Sequence, residues 1–148
     1  MTRVVVGMVL ASVAVAYLRS KRNDFEGMKH LYAIVSWGIV ALGTVHMLAT
    51  LRIFNTLSSA ALWFFSGGIA MALTGILNLL HRTYGQMAPG LRKVCVGTNI
   101  LMTIFGVLSG VVSHAGVIQL ALVLGLMGGA TALSLSRSAL MQSAELTD

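Results

Sequence analysis

The chain has 148 residues, 57% hydrophobic and 9% charged, and 10 Lys and Arg against 4 Asp and Glu leave a net charge of +6. Soluble domains carry about a quarter of their residues as charged side chains, so this composition cannot coat a water-facing surface, and the chain reads as an integral membrane protein. The basic excess would suggest nucleic acid in a soluble chain; here it is read as cytoplasmic loops facing anionic headgroups, with membrane lipid and not nucleic acid as the partner.

The first apolar run, VVVGMVLASVAVAYL at residues 4–18, reaches only about 22 Å as a helix. Arg3 ahead of it and Ala14-Val15-Ala16 within it have the form of a secretory signal and its cleavage site. Cleavage there would deliver RSKRNDFEGMK to the outside, against the rule that basic flanks stay in the cytoplasm. A helix lying on the surface would need a polar face, which this run lacks. A translation start at Met28 is a further alternative. The preferred reading is a short, retained helix with its N-terminus outside.

Four longer runs follow, at residues 31–51, 57–80, 94–113 and 116–136. Each is close to the roughly 20 apolar residues that cross a hydrocarbon core about 30 Å thick. The links RIFNT, HRTYGQMAPGLRK and HA are short, so sequential helices are expected to be antiparallel neighbours. The expected fold is all-α: an integral membrane bundle of four core transmembrane helices preceded by the short fifth. No repeat or soluble domain interrupts residues 1–148, and the tail LMQSAELTD is too short to fold alone, which leaves a single membrane domain.

Arg19, Lys21, Arg22, Lys29, Arg82, Arg92, Lys93 and Arg137 fall on one side of these spans and Arg52 on the other. The imbalance places the C-terminus in the cytoplasm. Tyr32 and Tyr84 are expected in an aromatic belt at the cytoplasmic headgroups. The run ALWFFSGGIAMALTGILNLLH at residues 61–81 resembles the spans of many small bacterial membrane proteins, which implies a bacterial inner (plasma) membrane.

Helices in lipid associate through close approach at small residues and through interhelical hydrogen bonds. Each span carries such a stripe at helical spacing. Gly43, with Ser36, His46 and Thr50, marks the first, and Gly67, Thr74 and Asn78, with His81, the second. Asn99, Gly106 and Gly110 mark the third, and Gly125 and Gly129 the fourth. These residues are expected to face the interior while Leu, Ile, Val and Phe face lipid. The polar ones fall into two layers, with His46, Thr50, Trp63, His114 and Gln119 in the outer third and His30, Asn78, His81 and Asn99 at the cytoplasmic end.

Three functions are compatible with these layers. The first is an accessory or structural bundle that associates with lipid, other membrane proteins or a second copy of itself. The second is an electron carrier holding haem b between paired imidazoles, His46 with His114 and His30 with His81, because neutral imidazole is an axial haem ligand. The third is a binding site or pathway for a small neutral solute. Asp24, Glu26, Glu145 and Asp148 all lie outside the core spans, which disfavours proton-coupled transport and cation conduction. The lone Cys95 excludes an intramolecular disulfide and is read as an inert buried thiol. No motif for a catalytic serine, a zinc site or a phosphate-binding loop is present, so enzymatic chemistry is not expected. Copper at Met47 and Met102 is disfavoured against plain packing, and Trp37 and Trp63 are read as packing or interfacial residues.

Overall fold

The computed structural model describes residues 25–113, 116–136 and 139–140. The run at 4–18 and His114 lie outside these described residues. Among the described residues the fold is all-helical, with four helices: α1 (Phe25–Ile53), α2 (Ser59–Tyr84), α3 (Pro89–Val112) and α4 (Val117–Leu135). All four are long and apolar enough to cross a membrane. Their outward surfaces suit lipid: Leu57 and Trp63 are 85% and 79% exposed, and Ile34, Leu73, Leu101 and Ile118 also point away from the bundle.

Helix ends follow local chemistry. The Ser58 side chain accepts a hydrogen bond from Ala61 N at 3.2 Å and so starts α2. Pro89 opens α3, at a position where its missing N–H costs nothing. At the basic end the helices run past the apolar stretches, so α1 includes FEGMKH, α2 includes HRTY and α3 begins with PGLRK. Water and headgroups can solvate polar side chains there without ending the helix. Two arginines fasten this end by donating to main-chain carbonyls on other helices, Arg82 Nε to Lys29 O at 2.9 Å and an Arg92 guanidinium nitrogen to Leu135 O at 3.0 Å.

The bundle is two hairpins, α1 with α2 and α3 with α4, joined through contacts of α2 with α3 and of α4 with α1. The hairpins pack by different means. In the first the main chains nearly touch: a Cβ on Gly43 would sit 2.6 Å from both Gly68 O and Ala72 N, and one on Gly75 2.7 Å from Ser36 O. Only glycine permits this approach, the usual device of helix pairs in lipid. In the second hairpin, side chains of α4 fill the gaps. A Cβ on Gly106 would sit 3.3 Å from Val123 Cγ1, and one on Gly110 would collide with Leu120. Gly125 has nothing within 4 Å of such a Cβ, and Gly129 makes only an ordinary contact with Val35 at 3.9 Å.

A central apolar layer of Ile39, Met127 and Ala130, with Val35, Met71 and Val123 against it, separates the two ends. Below it, toward the basic end, Ala139 and Leu140 fold back after α4 onto Met28, Tyr32 and Leu133. Leu140, the first residue of the short tail, is therefore part of the core.

Candidate functional site

Two polar regions lie on either side of the central layer. The first is a closed cluster of Tyr32, Asn78, His81, Cys95 and Asn99, all 0% exposed. Asn78 and Asn99 form a reciprocal amide pair between α2 and α3: Asn78 Nδ2 donates to Asn99 Oδ1 at 2.9 Å and Asn99 Nδ2 to Asn78 Oδ1 at 2.8 Å. The second Asn78 amide proton goes to Thr74 O at 2.8 Å. Asn99 also reaches Ala130 O on α4 at 3.5 Å. From α1, the Tyr32 hydroxyl donates to Asn78 Oδ1 at 2.7 Å, and His81 Nδ1 lies 2.9 Å from the same hydroxyl oxygen. If His81 carries its proton on Nδ1 and donates it to Tyr32, the phenol proton stays free for Asn78 and each donor is used once. Cys95 closes the cluster with its Sγ 3.3 Å from Asn78 Oδ1. All four helices are thus tied at one level, where no water competes for the hydrogen bonds.

His81 Nε2 has no hydrogen-bond partner among the described residues. The Gly85 turn lies against it, and a Cβ at that position would sit 2.8 Å from Nε2. His81 Nε2 is thus enclosed beside the end of its own helix. His30, its proposed haem partner, is exposed on the surface of α1.

Tyr32 corrects one expectation. It does not stand in a headgroup belt but is fully enclosed at the centre of the cluster, whereas Tyr84 is exposed. The signal was present in the sequence. Tyr32, Ser36, Ile39 and Gly43 are spaced by four, three and four residues, so Tyr32 shares the interior face of α1 with Gly43. Sequence reasoning also missed Gly68 and Gly75, the glycines in closest contact with α1, and chose Gly67 beside them. Most hydroxyls on the stripes bond within their own helix, such as Thr74 Oγ1 to Ala70 O at 2.7 Å and Ser36 Oγ to Tyr32 O at 2.6 Å, as Ser and Thr commonly do in apolar helices. Thr103 and Thr131 add a contact between α3 and α4 at 3.1 Å.

The second region is a cavity of about 260 Å³ between the hairpins at the opposite end. Leu42 and His46 of α1, Phe64, Gly67 and Met71 of α2, Met102 and Ser109 of α3, and Gln119, Val123 and Met127 of α4 are among its walls. The His46 ring is half-buried and stacks on Phe64 with centroids 3.8 Å apart and planes at 21°. Phe64 in turn contacts Phe54 at 5.8 Å. Gly67 opens on the cavity, and the nearest atom to a Cβ there is His46 Nε2 at 3.6 Å. Among the described residues, the walls include no Lys, Arg, Asp or Glu.

Fold and site together define a membrane helical-bundle protein, locked by buried amides at one end and hollow at the other. Comparison of the chain with protein-family models, curated proteins and solved structures finds no match.

Proposed function

We propose that this bundle is a lipid-associated accessory protein of the inner membrane that holds one uncharged, apolar molecule from the bilayer in the cavity between its hairpins. The observation that carries this reading is the cavity, about 260 Å³ in volume, lined by apolar and uncharged polar side chains. A dry apolar cavity of about 150 Å³ is enough to bind benzene. A larger one in a membrane protein has a concentrated supply of apolar molecules around it. Uncharged walls favour a neutral occupant, because a buried charge without a partner is costly. The basic end, with Lys29, Arg82, Arg92 and Lys93, is assigned to the cytoplasm by the charge rule, which puts the cavity in the outer leaflet.

The test is native mass spectrometry of the full chain released from lipid nanodiscs, with decane as the apolar probe, for the wild type and for Gly67→Phe. A Cβ at position 67 has only His46 Nε2 within 4 Å, so a ring there is expected to extend into the cavity. The expected result is one apolar adduct per wild-type chain and none on Gly67→Phe, with a wild-type melting temperature raised by a few degrees at saturating probe. Absence of any adduct on the wild type would overturn the reading.

A further inference from the structure

We propose that the occupant is a single unbranched acyl chain of about ten to thirteen carbons, seated tail-first with its carbonyl head at the Ser113 and Gln119 rim. This rests on the cavity reading above and gives its ligand a shape and a direction.

The dimensions come first. The lining runs from Gln119 to Met127 on α4 and from Ser113 to Met102 on α3, about 12 and 16 Å along the helices at 1.5 Å per residue. That length is close to half of a hydrocarbon core about 30 Å thick, the depth of one leaflet. Dividing the 260 Å³ by this length leaves a mean cross-section of about 16 to 22 Å². The space is thus several times longer than it is wide, a shape that suits an extended polymethylene chain. A zigzag of carbon–carbon bonds near 1.5 Å advances about 1.25 Å per carbon, which sets the chain length.

The direction follows from a polarity gradient along the same walls. Ser113 and Gln119 stand within about one helical turn of the helix ends, and Ser109 about a turn deep. His46 lies about 10 Å in, measured from Ile53. Below that level Leu42, Met71, Met102 and Met127 close the cavity with apolar groups alone. Three thioether side chains at the blind end adapt to a chain terminus better than branched residues would. The Ser113 hydroxyl donates to Ser109 O at 2.6 Å, so at the rim it is the Gln119 amide that can donate to an uncharged carbonyl or ester group remaining near the interface.

The acyl chain can belong to a bilayer phospholipid or to a free fatty acid, and photolabelling distinguishes the two. The full chain in phosphatidylcholine nanodiscs is illuminated with dodecanoic acid carrying a diazirine at the chain terminus or next to the carboxyl, and with a phosphatidylcholine carrying the terminal-diazirine chain. The terminal probe is expected to mark Met71, Met102 or Met127, and the carboxyl-end probe Ser113, Gln119 or His46. Gly67→Phe is expected to cut both signals about tenfold by filling the cavity. Methyl dodecanoate should compete best, with methyl hexanoate about a thousandfold weaker or more because six fewer methylenes are buried. Labelling by the phosphatidylcholine probe identifies a bilayer lipid as the source, and labelling by the acid alone identifies a free fatty acid.

Identical or reversed maps for the two diazirine positions, or competition independent of chain length, would overturn the acyl-chain proposal while the decane adduct still upheld the cavity reading. Failure of both probes to label the cavity above lipid-facing Ile34 and Leu73, together with absence of the decane adduct, would overturn both.

Discussion

The two ends of this bundle use polar groups in opposite ways. At the basic end, amides, a phenol, an imidazole and a thiol are packed without solvent access and spend their hydrogen bonds on one another across the helices. At the other end, an imidazole, an amide and two hydroxyls border open space. A hydrogen bond in lipid strengthens a bundle when both partners belong to the protein. A polar group facing a cavity contributes less to stability and is left for a ligand. The comparison therefore separates a region that fixes the fold from a region able to bind, although sequence alone gives each of them histidines and small residues.

Substitutions can break or sharpen this contrast. The largest effect is expected below the cavity, at the main-chain contact of α1 with α2. Gly75→Leu would drive a side chain into Ser36 O and Val40 N, and a loss of about 3 kcal/mol or more, or failure to yield monodisperse protein in detergent, is expected. Next is the amide pair. Asn78→Leu strands the Tyr32 hydroxyl and the Asn99 amide and should cost about 2 to 3 kcal/mol. The Asn78→Leu/Asn99→Leu double variant should cost clearly less than the two singles together, as a double-mutant cycle in denaturant melts would show.

At Gly110 the collision is with the flexible Leu120 side chain, so Gly110→Leu should cost about 1 to 2 kcal/mol. His46→Leu removes the ring stack on Phe64 and should cost about 1 kcal/mol with helix content unchanged by circular dichroism. An effect at His46 as large as that at Asn78 would erase the distinction between the two ends. Gly125→Leu, where a Cβ meets nothing, should change the melting midpoint by less than about 0.5 kcal/mol equivalent.

Much of the fold was legible in the sequence because membrane helices follow from simple constraints. Four apolar runs of spanning length and short basic links leave few alternatives to a helical bundle. The site was less legible. Asn78, His81 and Asn99 could be assigned to one level from their spacing, but Tyr32 was misread because a tyrosine near a basic flank suits both an interface and a core. Which of two adjacent glycines, Gly67 or Gly68, meets α1 depends on the helix crossing, and a rotation of about 100° per residue makes the neighbour a cavity wall instead. The basic flanks and apolar spans determined by themselves that the chain is a membrane bundle with two polar layers. Tertiary packing alone decided that one layer closes and the other stays hollow, because both the reciprocal amide pair and the cavity exist only where two hairpins distant in sequence meet.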